Sequence, residues 1–63
     1  KNFEEAISHY TKAIEINPEF AHAYSNRGLM LFFIGKTNEG LADLSKAGEL
    51  GMYQSYNIIK RLK

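Results

Sequence analysis

Phe3, Ala6, Ile7, Tyr10, Ala13 and Ile14 recur at steps of three and four along the start of the chain. That spacing places them on one face and predicts a helix over residues 3 to 16. Asn2 stands at the N-cap, and Glu5 follows three residues on, as in a capping box. Asn17-Pro18 ends the ladder, because proline has no N–H and turns the preceding residue away from helix. Proline also suits the first turn of a following helix. A second helix is predicted from about Glu19 to Ile34, with Tyr24, Gly28 and Leu31 as its stripe, flanked by Ala21, Arg27 and Gly35. Gly28 sits mid-helix at a cost of up to ~1 kcal/mol against alanine, which close approach of another helix would offset. Gly35 is suited to the C-terminal stop. A third helix is expected from about Thr37 to Leu50, with Leu41, Leu44, Ala47 and Gly48 on a narrow face. Gly40 and Gly48 weaken it, so it leans on tertiary packing, and Gly51 marks its end. A fourth, from about Tyr53 to Leu62, is anchored by Ile58, Ile59 and Leu62. Its Lys60, Arg61 and Lys63 lie where cations suit the helix dipole. The connections are short, so sequential helices should pack antiparallel. No segment alternates with period two. The expected fold is all-α, with about four helices in antiparallel pairs.

The pattern repeats itself. Glu5 and Glu39, Lys12 and Lys46, Ala13 and Ala47, Glu15 and Glu49, and Arg27 and Arg61 are identical pairs at one offset of about 34 residues. Ile7/Leu41, Tyr10/Leu44, Thr11/Ser45 and Ile16/Leu50 keep their character at the same offset. A fixed period of this length marks a repeat architecture in which helical pairs stack, and such proteins work by surface. The 63 residues hold less than two periods, which reads as a fragment.

Composition narrows the classes of function. A chain of 63 residues makes one small domain that buries only about 60% of its unfolded surface. With no cysteine there is no disulfide and no thiolate metal site. The net charge of +1 offers no electrostatic footprint for nucleic acid or an anionic membrane. The longest apolar run, Leu29 to Ile34, falls far short of the roughly 20 residues that span a bilayer. The acidic, amphipathic start does not read as a signal peptide. Cytoplasmic residence is only slightly favoured.

The search for chemistry leaves little. Gly35-Lys36-Thr37 echoes the end of a phosphate-binding loop, but Met30 stands where that loop needs glycine, and no strand precedes it. His9 and His22 lie on different helices without zinc-ligand spacing, and His9 belongs on the outer face. Nothing resembles a nucleophile with a base and an orienting group. No catalytic, cofactor or metal residue is assigned, and the chain does not read as an enzyme.

The run Ala6-Ile7, then Tyr10 through Pro18, resembles the second helix of the tetratricopeptide repeat, with Ala6, Tyr10, Ala13 and Pro18 at that family's spacing. Tyr24, Gly28 and Leu31 match its first-helix marks, and Leu44 and Ala47 its second-helix marks. The resemblance covers essentially the whole chain and implies an α-solenoid. It divides the chain into the second helix of a partial repeat (2–17), one full repeat (18–51) and a closing, cap-like helix (52–63). Arg27 stands where leucine is common, Gly40 where alanine is common, and Met52 where the closing proline is expected. In this register the first helix of the opening unit is missing. Phe3, Ile7, Tyr10 and Ile14 are then expected as an exposed assembly face, to be covered by upstream repeats or by a second copy. Each such side chain is worth roughly 1.5–3 kcal/mol on burial.

First helices line the groove of such solenoids, so the resemblance assigns the second stripe of residues 19–34 to a groove. His22, Asn26, Leu29 and Phe33 point away from the buried stripe, with Ser25 beside them. Tyr56 and Lys60 follow on the next first-type helix. His22, Ser25 and Asn26 are expected to be exposed. Leu29 and Phe33 either line the groove or, with a slight edge, pack around Tyr56 and Ile59. Asn26 is the sharpest candidate, since an amide both donates to and accepts from a peptide unit. Its segment is similar to groove helices that bind chaperone tails and to those that form asparagine ladders. Lys60 meets one requirement of a carboxylate clamp, but Tyr56 stands where a lysine would be wanted, so the clamp is incomplete. Arg27 is expected to pair with Asp43 or Glu49. The leading expectation is a protein-interaction module that presents a helical groove to a peptide or partner subunit. The alternative is a self-assembling homo-oligomer. RNA binding would need a basic groove, which near-neutral charge does not provide.

Overall fold

The computed structural model describes residues 2–62 and contains, among them, four α-helices and no strand. They are α1 (Phe3–Ile16), α2 (Ala21–Phe33), α3 (Thr37–Glu49) and α4 (Gln54–Leu62). Each packs on the next, with the largest contact between α2 and α3. The pairs α1–α2 and α2–α3 are antiparallel: Gly40 at the start of α3 meets Phe32 at the end of α2, while Asp43 meets Arg27 further back. Phe3 at the start of α1 meets Phe33 at the end of α2, with ring centroids 6.2 Å apart. Gly48 near the end of α3 faces Tyr56 near the start of α4.

The helix ends follow from local chemistry. The Glu5 N–H donates to Asn2 Oδ1 at 2.9 Å, which is the N-cap read from the sequence. At the end of α1 the Asn17 side chain takes the Glu19 N–H at 3.1 Å, and its carbonyl takes the Phe20 N–H at 3.1 Å. This turn holds Pro18 outside α2, which begins at Ala21. The expectation that proline opens the next helix is therefore corrected: the asparagine side chain captures the backbone first. Helices α2 and α3 end alike. The Lys36 N–H reaches back to the Leu31 carbonyl (2.9 Å) and Gly35 N–H to Phe32 (3.1 Å), while Met52 reaches Ala47 (3.0 Å) and Gly51 reaches Gly48 (3.1 Å). This paired closure needs a left-handed residue, and Gly35 (φ 93°) and Gly51 (φ 111°) supply it.

The core is built from small residues. Ala23, Leu31, Leu44 and Ala47 are its buried apolar side chains, joined by buried Gly28, Gly40 and Gly48. At the α2–α3 crossing the two backbones touch. A Cβ on Gly28 would lie 2.7 Å from the Gly40 carbonyl oxygen, and one on Gly40 would lie 2.6 Å from the Gly28 carbonyl oxygen. Gly40 is thus a requirement of the crossing, not the mild departure that its sequence position suggests. Gly48 has a similar role, because the Tyr56 ring occupies the space its side chain would take. Lys60 and Arg61 lie exposed in the last turn of α4, as expected; Lys63 lies outside the described residues.

Gly28→Ala should therefore destabilise the fold by about 1–3 kcal/mol through overpacking, although alanine is the better helix former by up to ~1 kcal/mol. Urea unfolding followed by circular dichroism checks the sign. A gain in stability would show that the crossing is looser than described.

Candidate functional site

The α2 surface is divided by what its neighbours occupy. Ala23, Ser25, Gly28 and Leu31 are buried. His22, Asn26 and Phe33 are exposed and Leu29 is half-buried. On α4, Tyr56 and Lys60 are exposed. Tyr56 is positioned by Gly48, on which its ring rests, and the side chain keeps 42% of its surface open. Phe33, 59% exposed, has its aromatic neighbours at Phe3 and Phe32. The support that the sequence sought for Phe33 on α4 thus comes from α1.

Ser25 departs from expectation. It is 2% exposed, and its Oγ accepts a long 3.5 Å hydrogen bond from the fully buried Ser55 Oγ. The start of α4 comes close to α2 at this point, and two small hydroxyl residues fill the contact. Ser25 is thereby removed from the surface.

The expected assembly face is also revised. Phe3, Ile7, Tyr10 and Ile14 are half-buried rather than exposed, and Phe3 meets the Phe33 ring of α2. The most open large apolar residues are instead Ile16 at 85% and Tyr53 at 71%, both near the turns.

A polar cluster joins the first three helices. Arg27 Nε donates to Asp43 Oδ2 at 2.7 Å and Nη2 donates to Asp43 Oδ1 at 2.9 Å, a two-point fork. Its Nη1 donates to Thr11 Oγ1 at 3.2 Å, while the Thr11 hydroxyl donates to the Ile7 carbonyl at 2.8 Å. The guanidinium carbon also lies 5.6 Å from the centre of the Tyr24 ring. These hydrogen bonds to Asp43 push the Arg27 pKa up, against the opposing effect of burial. Arg27 therefore stays charged at any pH the fold would meet. Of the two partners read from the sequence, Asp43 is the one engaged; Thr11 was missed. A signal for it existed: Thr11 precedes Arg27, and Arg27 precedes Asp43, by the same 16 residues.

The cluster forms part of an open cleft of about 390 Å³, lined by Ile7 and Thr11 of α1, Arg27 and Leu31 of α2, and Glu39, Ala42 and Asp43 of α3. Its central cation and carboxylate satisfy each other. The arrangement holds helices together and does not poise a group for proton transfer or attack. Among the described residues no three metal-ligating side chains gather, and no helix is long and apolar enough to cross a membrane.

Residues 1–35 match a protein-family model described as TPR repeat. Among curated proteins the chain is 46% identical over 50 residues to Hsp70-Hsp90 organizing protein 1 of Glycine max, covering 79% of this chain and 9% of that one. It is 40% identical over 63 residues to Hsp70-Hsp90 organizing protein 1 of Arabidopsis thaliana, covering 97% and 11%. To human DnaJ homolog subfamily C member 7 it is 38% identical over 50 residues, covering 79% and 10%. The chain spans about a tenth of the length of these relatives. No solved structure matches it.

Asp43→Ala strips Arg27 of both carboxylate oxygens in a site where the two side chains are only 21% and 12% exposed. The expected loss is about 2 kcal/mol, below the 3–5 kcal/mol of a fully buried pair because water still reaches this one. A double-mutant cycle of Arg27→Met with Asp43→Ala in denaturant measures the coupling. A coupling energy under about 0.5 kcal/mol would show that the fork adds nothing to stability.

Proposed function

The chain belongs to the TPR repeat family, and from that premise we propose that it presents a groove, lined by α2 and α4, to an extended segment of a partner protein. The coarse class is plain: it is a protein–protein interaction module. The proposal concerns the face and its residues. Residues 2–17 are read as the second helix of one repeat, 18–51 as a full repeat and 52–63 as a closing, cap-like helix.

One observation carries the reading. Asn26 is exposed although its neighbours in sequence are committed to packing: Ser25 is buried against α4, Arg27 is paired with Asp43, and Gly28 is buried at the α2–α3 crossing. The amide is thus held outward on a helix that cannot easily turn. It can donate to a backbone carbonyl and accept from a backbone N–H. His22 and Leu29 lie along the same face, and Phe33 extends it with an aromatic surface. Lys60 adds one cation from α4, suited to an acidic side chain or a terminal carboxylate. A single cation and one amide make a weaker hold than a full clamp, so affinity should depend on apolar contacts with Leu29, Phe33 and Tyr56 as well.

The names of the relatives supply the partner class. Proteins called Hsp70-Hsp90 organizing proteins support a chaperone as the protein whose segment enters this groove. The chain works by binding, with no turnover of its own. Self-assembly is the weaker alternative, since the stripe that would drive it is already half-buried. A monomer across micromolar concentrations in sedimentation equilibrium would close that alternative.

Asn26→Ala should weaken binding of purified Hsp70 or Hsp90 by about five- to tenfold in calorimetric titration, the loss of one or two hydrogen bonds. The melting temperature should barely move, because the side chain is exposed. Loss of stability with unchanged binding would mean that the groove lies on another face.

A further inference from the structure

Arg27 and Asp43 cancel each other's charge in the cleft between α1, α2 and α3, and what they leave unused has one character. Each Asp43 oxygen takes one N–H from Arg27, while a carboxylate offers about four acceptor sites. The Thr11 hydroxyl gives its proton to the Ile7 carbonyl and takes an N–H from Arg27, which leaves it a lone pair. Glu39 lines the same cleft, is exposed, and among the described residues has no ion-pair partner. Its carboxylate lies close enough to Arg27 to favour the protonated guanidinium. Its place in the first turn of α3 suits the helix dipole and leaves the charge open to a cation. Arg27, Asp43 and Glu39 together give the cleft a net negative charge. Arg27 keeps N–H groups that Asp43 and Thr11 do not use, but an anion drawn to them would meet both carboxylates.

The rest of the lining is aliphatic. Leu31 is buried, Ile7 is half-buried, and Ala42 is exposed with only a methyl group to narrow the opening. The volume of about 390 Å³ falls at the lower end of the roughly 300–1,000 Å³ of ligand sites. The cleft is open, so it suits a side chain carried on a larger surface better than a small molecule that must be enclosed. A methylene stem tipped by a cation matches this lining, with apolar walls for the stem and acceptors for the head. The acceptors come from two helices, Thr11 on α1 and Glu39 and Asp43 on α3. A compact ammonium with rotatable donors reaches such a set more readily than a planar guanidinium.

We propose that this cleft docks a lysine side chain of a partner protein, its ammonium at Glu39 and Asp43 and its stem along Ile7, Leu31 and Ala42. Charge complementarity selects the lysine. The cleft shares no residue with the Asn26 groove, so the two proposals can fail independently.

The test is an amide NMR titration of the 63-residue chain with the capped peptide acetyl-Ala-Ala-Lys-Ala-Ala-amide. Saturable shifts at Thr11, Arg27 and Ala42 are expected, with a dissociation constant on the order of 1 mM. The same peptide with norleucine for lysine keeps the stem and loses the ammonium, and should bind about fivefold more weakly or worse. Glu39→Gln should weaken the lysine peptide by about threefold or more. Ala42→Phe should abolish saturable shifts by filling the cleft. Glu49→Gln, which removes the same charge elsewhere on α3, and Asn26→Ala should leave binding unchanged. Glu39 and Ala42 are exposed, so their variants should fold, and thermal melts check that they do. Absence of saturable shifts overturns the proposal. Equal binding of the norleucine peptide would mean apolar contact alone, and equal loss with Glu49→Gln would mean diffuse attraction. Shifts centred on Asn26 would place the peptide in the groove, and pentylamine binding as tightly as the peptide would make a small amine the occupant. Any of these results overturns it.

Discussion

The contact between Gly28 and Gly40 sets the geometry of this protein. Each glycine would place a Cβ within 2.7 Å of the other's carbonyl oxygen, so the two helices meet backbone to backbone. A crossing this close brings residues one and three positions away into line. Arg27 precedes Gly28 and Asp43 follows Gly40, and their fork closes at 2.7 and 2.9 Å. Leu44, one position further, becomes fully buried. Helix propensity opposes both glycines. Packing outweighs it, because dispersion contacts and the polar fork both depend on the short interaxial distance.

The polar cluster extends that constraint to a third helix. Arg27 would hold only α2 to α3 if the fork were all it made. Its remaining bond to Thr11, whose hydroxyl is oriented by the Ile7 carbonyl, draws in α1. A guanidinium suits this task, since its donors are fixed in one plane and can serve two helices at once. Leucine at the same position would pack but could not bridge. Buried charge is seldom the most stabilising choice; what the arginine adds is a fixed rotation of α2 between its two neighbours. The two glycine-closed turns then limit how far α3 and α4 can drift from the ends of α2 and α3.

Much of this was readable along the chain. Spacing located all four helices, Asn2 and the two stop glycines marked ends, and Gly28 in mid-helix pointed to a close neighbour. The family resemblance held as well. What escaped was distance. A period of three to four gives the direction of a side chain about its own axis but not how near the next helix stands. Ser25 lay beside the groove stripe by angle, yet α4 covers it with Ser55. Phe3, Ile7, Tyr10 and Ile14 formed a clean face, yet each is half-buried and Phe3 meets Phe33 of α2. Gly40 looked like a mild departure because nothing in its own helix shows that a backbone passes so close. Pro18 was legible as a break, but the Asx turn that keeps it outside α2 depends on a side-chain hydrogen bond of Asn17. The residues of the candidate groove were named by register alone, and the structure sorts them only by exposure.

The outward face of α2 is a consequence of its inward one. Turning α2 by a single residue, about 100°, would carry Gly28 away from Gly40 and bring a side chain into the gap. It would also break the fork to Asp43. The helix therefore has one rotation that satisfies both constraints, and in that rotation His22 and Asn26 face out. A partner bound on that face, as proposed, would meet side chains whose backbone is already fixed, and the ordering cost of binding would fall on the partner's segment and on a few rotamers. A surface without pockets for chemistry can then be selective. The positions of its polar groups are set from within, by two missing Cβ atoms and one arginine shared among three helices.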